Sequence, residues 1–587
     1  MEGGWSLKEL YDSVDSDVFK NDSEDFKKYI ERLKKFSADN FMSADGAREK
    51  MEGYVGLIGE LAKHESLYAY ANLVFAVDVM NEPAGKMNDV LAELFAELTA
   101  PEVQFRQFLS AINDIGAVID SSPLLAEHKF ALLEMKEETK YMLSEREEVV
   151  IAKMQNTGST AWEKLRDQLS ATLMVDIEID GEKKTEPLTV VRNYAYDPDA
   201  SLRKAAYEAE LASYEKIDKA AAACLNGVKG EVLTTSKMRG YESPLAMTLF
   251  TSRMDATILD AMFTAIDAYL PAFRRYLKHK AKLLGHGGPL PFYDLFAPVG
   301  VTDIEFTYAE ACAYVEKNFR DFSDRLGDFA KRAVCGEWMD VYPREGKQGG
   351  AFCASLYNLK QSRIMLNFKG SFQDVCTLAH ELGHGFHNEC LKDESFLNFG
   401  QPMPLAETAS TFCETIIINS ALKTAARDEA LAILDNDLQN AAQVVVDIYS
   451  RYLFEKEVFE RRADGGLSVA ELNAIMTDAQ QKTYGDGLDP EFLHPYMWAC
   501  KSHYYYASRN FYNFPYAYGH LFSKGLYARF AAEGEPFVAE YEKLLAATGK
   551  HDLKGIAALA GIDVTTPAFW ESSLKMIADD IEKFICL

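Results

Sequence analysis

Apolar residues in this chain recur every three to four positions, and that period constrains the fold more than any other feature. Over 25–36, 52–74, 90–98 and 201–216 it gives each segment one apolar face, with short connections between segments. Such faces must be covered by other helices, so the sequence predicts a mainly α, multi-helical protein. At 587 residues and 48% hydrophobic content there is material for more than one core, and two lobes are expected. The period changes in two places. At 172–191 the run Leu173-Met174-Val175-Asp176-Ile177-Glu178-Ile179, the turn Asp180-Gly181 and Pro187-Leu188-Thr189-Val190-Val191 read as a β-hairpin, which sets the expected lobe boundary. Residues 1–191 then form an amino-terminal helical lobe ending in the hairpin, and 192–587 form the second part. At 351–356 and 362–367 two further strands predict a small β-sheet, directly before the most chemically informative segment.

That segment is His380-Glu381-Leu382-Gly383-His384. At about 3.6 residues per turn, positions four apart stack on one helix face, so both rings can reach one tetrahedral ion, with Glu381 as the base beside it. With 11 His and 90 Asp plus Glu in the chain, composition supplies about 0.03 such matches by chance. Ser371 followed by Asp374 resembles a capping box, and Val375, Leu378, Leu382 and Phe386 keep a helical interval, so the motif is placed on a helix. Gly383 and Gly385 are poor helix formers. Either backbone or substrate passes close to them, or the helix ends there.

A catalytic zinc takes three protein ligands, so a third is expected downstream. Residues 405–414 read as helical after Pro402 and Pro404 and put Glu407, Thr411 and Glu414 on one face. Glu407 is the expected ligand. Glu414 either orients an imidazole from behind or is an ordinary surface glutamate.

The segment His380 to His387, with the later Glu407-Thr408-Ala409-Ser410, is similar to the signature of the M3 metallopeptidases, more closely to the oligoendopeptidase F branch. Tyr342 to Ala351 resembles that family's stretch before the active-site strand, and His503 to Tyr518 resembles its tyrosine-rich substrate loop. The match runs from about residue 340 to 520; the amino-terminal third joins it loosely through Trp5 to Tyr11. The resemblance implies a two-lobed metallopeptidase enclosing a deep substrate channel, with 192–587 as the catalytic domain. It implies one Zn²⁺ held by His380, His384 and Glu407, and Glu381 as general base. The activity implied is internal cleavage of short peptides; a zinc exopeptidase, or a catalytically silent peptide-binding protein of this fold, are the alternatives.

Three further expectations concern substrate. An extended peptide can pair with an exposed strand edge, and Gly349, Gly350 and Ala351 would permit close approach there, unless the two glycines simply make a turn. In the tyrosine-rich segment, rings usually pack in a core, yet a peptidase needs donors for the oxyanion. The resemblance favours His503 and Tyr512 in that role, with Tyr505 and Tyr516 as substrate contacts, although Ser508 and Asn510 depart from the family pattern. His387 reads as a packed or capping histidine, since Glu407 already completes the ligand set.

The formal net charge of −28 repels phosphate backbones, which makes nucleic acid a poor partner. No run is expected to cross a membrane, and Met1-Glu2-Gly3-Gly4-Trp5-Ser6 has no signal-peptide character, so a cytoplasmic location is expected. Nine scattered cysteines without a Cys-x-x-Cys pair suit reduced thiols, and Cys353, Cys376, Cys390 and Cys413 read as small buried hydrophobes. The sequence leaves the oligomeric state undetermined.

Overall fold

A computed structural model describes residues 3–300 and 305–587. Helices dominate it, as the apolar period predicts, and the described sheets are one of two strands and one of three. The chain forms two compact units, one from residues 1–142, 304–420 and 529–561, the other from 143–303, 421–528 and 562–587.

In the first unit, helices Asp17–Asn40 and Ala47–Val77 bury Phe19, Phe26, Ile30, Met51 and Leu67 in one aromatic-rich core. Elsewhere in this unit a three-stranded sheet, β3 (Met339–Asp340), β4 (Phe352–Leu356) and β5 (Gln361–Met365), has the order β3-β5-β4. The central strand β5 pairs in parallel with β3 and antiparallel with β4, with Cys353 opposite Ile364. That leaves β4 at the edge. The helix Phe372–Leu391 packs on β4 and β5 and on helix Glu535–Ala546, with helices Tyr308–Phe322 and Asp324–Cys335 also against it. Five packed elements therefore fix the motif helix.

In the second unit, β1 (Met174–Ile179) and β2 (Glu182–Pro187) form an antiparallel hairpin. Its first strand and its turn match expectation, but its second strand lies at 182–187, and Leu188–Asn193 is helical. Asp180 and Gly181 both take positive φ, 54° and 80°, so Ile179 pairs directly with Glu182. Glu182 to Thr185 are exposed and polar, so they carried no alternating apolar signal. The hairpin packs on helix Ala200–Tyr214 of the same unit, across the expected 191/192 boundary. Helix Ala256–Leu283 is long and apolar enough by composition to cross a membrane, which corrects the expectation that no run is. It buries Ile258, Met262, Ile266, Phe273 and Leu277 and packs on helix Pro567–Cys586, the arrangement of a core helix.

Candidate metal centre

The motif helix begins as its sequence requires. Asp374 N–H donates to Ser371 Oγ at 3.2 Å while Ser371 N–H donates to Asp374 Oδ2 at 2.9 Å, closing the capping box. Val375, Leu378, Leu382 and Phe386 are buried on one side. The helix runs on to Leu391, so the glycines do not end it. A Cβ on Gly383 would stand 2.6 Å from Ala409 O and 2.7 Å from Ser410 Cα. The backbone of a second helix, Thr408–Leu422, crosses there, and only glycine admits it. Gly385 makes room for the Phe329 ring, 2.7 Å from where its Cβ would be.

That crossing brings Glu407, at the end of the short helix Met403–Ala406, to the two histidines. His380 Nε2 and His384 Nε2 lie 3.2 Å apart, and Glu407 Oε2 lies 3.2 Å from the first and 3.4 Å from the second. Donors about 2.0–2.1 Å from a tetrahedral ion are about 3.3 Å from one another, so the triangle has the edge lengths of one face of such a site. Among the described residues this is the one group of His, Cys, Asp or Glu that can converge on an ion. The donor set fits a catalytic metal: two imidazoles, one carboxylate and a fourth direction open.

Neighbouring groups hold the donors in place. His380 Nδ1 donates to Glu414 Oε1 at 2.6 Å, which turns Nε2 toward the centre. Ser410 Oγ donates to Glu407 Oε2 at 2.8 Å. The signal for Ser410 in the sequence is local: a serine three residues past a carboxylate on one helical turn can reach back to it. Burial disfavours the charged His380 ring, but the Glu407 and Glu414 carboxylates outweigh it and lift His380 to about 10 before any ion is present. Burial also acts against a charged Glu407, and hydrogen bonds from His380 and His384 reverse this, holding Glu407 well below the usual carboxylate range.

Glu381 is buried, and its Oε2 has no hydrogen-bond partner among the described residues. Burial raises its pKa, partly opposed by His380 and His384. The half-buried Cys353 thiol is pushed far up by desolvation and then by Glu381, so it stays protonated; unlike Cys376, Cys390 and Cys413 it is not fully buried, because edge strand β4 leaves it partly uncovered. His387 points away from the centre, into a buried bond of 3.0 Å between Nε2 and Thr548 Oγ1.

Gly349 and Gly350 precede the edge strand, and nothing lies within 4 Å of a Cβ built on either. Gly350 has φ of +82°, and Asn367 Nδ2 donates to its carbonyl at 2.8 Å. The turn therefore demands a glycine at 350, while open space surrounds both residues. Ala351 follows, half-buried.

The tyrosine-rich segment belongs to the second unit and gathers only part of the expected set. His503 lies 5.5 Å from Tyr512 and 6.5 Å from Tyr516, ring centre to ring centre, and Tyr512 lies 5.7 Å from Tyr516. All three are half-buried. Burial and then the Arg451 charge hold His503 below its ordinary range, so the neutral ring prevails near neutrality. Tyr505 does not join them. It is 1% exposed, packed under the Arg166 guanidinium, which also donates to Ala499 O and Cys500 O. Asn510 and Asn513 flank Phe511, whose φ of 51° is costly for a bulky residue. Both asparagines bond a buried pair: Lys229 Nζ lies 2.6 Å from Glu455 Oε1 and 3.1 Å from Asn510 Oδ1, and Asn513 Nδ2 donates to Glu455 Oε2 at 3.2 Å.

Three donors facing one point, two of them on the helix that also carries the unpartnered buried Glu381 carboxylate, fit the ligand set of a metal-dependent hydrolase. Residues 193–576 match Peptidase family M3 and residues 112–174 match the Oligopeptidase F amino-terminal family. The chain belongs to Peptidase family M3, in its oligopeptidase F branch, and is a metallopeptidase. It is 24% identical to Oligopeptidase PepF of Bacillus subtilis over 99% of this chain and 87% of that one. It is 27% identical to the chromosomal Oligoendopeptidase F of Lactococcus lactis over 65% of this chain and 64% of that one. The crystal structure of oligoendopeptidase-F from Enterococcus faecium shares the fold at a TM-score of 0.71 and 19% identity, covering 96% of this chain and 98% of the other.

Proposed function

We propose that this chain is a zinc endopeptidase for short peptides, with His380, His384 and Glu407 holding one ion and Glu381 as general base. The donor triangle of 3.2, 3.2 and 3.4 Å beside the partnerless Glu381 carboxylate carries this reading. When bound, zinc supplies Lewis acidity that acidifies water and polarises a peptide carbonyl. Glu381, with its pKa raised by burial, accepts the proton of the attacking water and passes it to the leaving amine. Ser410 and Glu414 fix Glu407 and His380, so little reorganisation accompanies the reaction. His503, Tyr512 and Tyr516, gathered within the second unit, are the polar rings proposed for substrate recognition.

The substrate backbone pairs with the open edge of β4, entering past Gly349, Gly350 and Ala351. Relatives named oligopeptidase or oligoendopeptidase support a short-peptide substrate. The family match beginning at residue 193 supports a catalytic domain from about 192, preceded by an amino-terminal lobe. Nine free cysteines suit a reducing cytoplasm.

The test is a library of peptides blocked at both ends, incubated with the protein, with chelator, and with chelator followed by zinc, with cleaved bonds mapped by mass. Internal cleavage that chelator stops and zinc restores is expected. Glu381→Gln should abolish cleavage and retain zinc, and a fully active Glu381→Gln protein would remove the general-base assignment.

A further inference from the structure

A cavity of about 380 Å³ lies in the first unit, between helices Ala47–Val77 and Glu82–Ala96 and the end of β4. Its shape follows from helical spacing. Ala62, Glu65, Ser66 and Ala69 fall on one face of the longer helix, and the two alanines leave room that larger side chains would fill. The Tyr68 and Phe95 rings, edge to face with centres 5.9 Å apart, add aromatic surface.

Glu65 is the one charged residue in this lining, and among the described residues no group bonds or pairs with its carboxylate. Other polar groups of the wall are committed: Tyr357 Oη–H donates to Glu394 O at 2.9 Å, and Asn358 Nδ2 donates to Ala62 O and to Ser66 Oγ. Glu65 is solvent-accessible, so a ligand can reach it, and the walls desolvate it enough to raise its pKa. A single carboxylate on an apolar, aromatic wall suits a primary ammonium, whose N–H groups bond the oxygens while the rings cover its carbon neighbours.

The cavity stands at a definite distance along β4 from the metal centre of the same unit. Cys353, on β4, feels the Glu381 charge, and its Sγ lies 3.8 Å from where a Cβ on Gly385 would be. Leu356, which lines the cavity, is further along the strand by about 10 Å, the rise of three residues. A peptide paired with β4 and cut beside Glu381 therefore reaches the cavity about three residues from the scissile bond. Charge selects its direction. Antiparallel to β4 the peptide brings its amino end to Glu65, whereas parallel to β4 it brings its carboxylate end, which Glu65 repels.

We propose that Glu65 binds a primary ammonium on the amino side of a short peptide, about three residues before the bond that is cut, and so sets the direction and register of the substrate on β4. The inference rests on the reading that substrate pairs with β4 beside Glu381. The ammonium has two sources, the α-amino group of the peptide or a lysine side chain at that position.

The probes are peptides of one sequence, about ten residues long and amidated at the carboxyl end, with the amino end free, acetylated, or acetylated with lysine as the first residue. Binding to the full Glu381→Gln chain is measured calorimetrically at about pH 6.5, where the amines are protonated. The free amine should bind about fivefold or more tightly than the acetylated peptide, the range of a charge-assisted contact at an accessible site. Glu65→Gln in the same chain, shown by its melting curve to be folded, should erase the difference, and Glu65→Asp should keep part of it. Recovery of affinity by the lysine peptide assigns the ammonium to a side chain; without recovery it is the α-amine. Equal binding of all three peptides, or an amine preference that survives in folded Glu65→Gln, overturns the proposal. Cleavage by the wild type, mapped by mass, reads the register: cuts should gather at about the third or fourth bond from a free amino end and scatter in the acetylated peptide. An amine preference in binding with scattered cuts would remove the pairing along β4 and leave the ammonium site standing. A wild type that cuts none of the peptides would count against the reaction alone, since the binding comparison needs no turnover.

Discussion

Gly383→Ala tests how the metal centre is built, because one methyl group should act on both stability and metal binding. The new Cβ would lie 2.6 Å from Ala409 O, 2.7 Å from Ser410 Cα and 2.9 Å from Ala409 C, all backbone atoms. Ordinary contact needs about 3.3 Å or more, so the helices must separate by about 0.7 Å. Overpacking of this kind costs about 1–3 kcal/mol, and the better helix propensity of alanine returns about 1 kcal/mol. A net loss of about 0–2 kcal/mol follows, modest beside the effect on the donors. Glu407 rides on the displaced segment, and metal sites tolerate only about 0.2 Å in ligand distance. Zinc affinity, measured by competition with a chromophoric chelator, should fall by more than tenfold, with melting lowered by a few degrees. Gly385→Ala is the control, since its Cβ meets the Phe329 ring, a side chain that can turn aside, and not the backbone of the segment that carries Glu407. A Gly383→Ala protein that melts as the parent and holds zinc equally well would refute the crossing argument.

Other outcomes follow from the same geometry. Glu414→Gln takes the charged acceptor from His380 Nδ1, and zinc affinity should drop by about 10–100-fold in the same competition assay, while Glu381 is untouched. Glu455→Gln leaves Lys229 buried and without its counter-ion; urea unfolding should show a loss of about 3–5 kcal/mol, and an unchanged midpoint would discredit the clamp on the tyrosine-rich loop. Burial lowers His387 from 6.5 to about 3, so the unfolded chain binds its proton first as pH falls. The stability contributed by neutral His387 is fully present above pH 6.5 and is lost progressively down to about pH 3; His387→Gln should flatten that part of the melting profile relative to the parent.

Several features were legible because they are local. A capping box, four apolar positions at helical spacing and two histidines four apart all report on one helix, and the period that sets them is a property of the backbone itself. Glu407 could be chosen because Glu407, Thr411 and Glu414 share one face of a single segment. The reason for Gly383 was not legible, since a glycine in a helix looks the same whether it ends the helix or admits another chain. The second strand of the hairpin was misplaced for a related cause: Glu182 to Thr185 face water, so only the pairing set by Asp180 and Gly181 reveals them as a strand. Tyr505 and Tyr512 are alike in sequence context, and only packing sends one under Arg166 and the other beside His503.

By itself, then, the sequence determined a helical protein with one ion-binding face, because short-range periodicity and capping suffice for that. Tertiary structure decided why position 383 must be a glycine, which groups hold the metal-facing side chains from behind and which rings pack in the core. Those outcomes depend on pairs such as Lys229 with Glu455 and His380 with Glu414, brought together from distant parts of the chain. No local spacing encodes such pairs; the packing of whole helices against one another does.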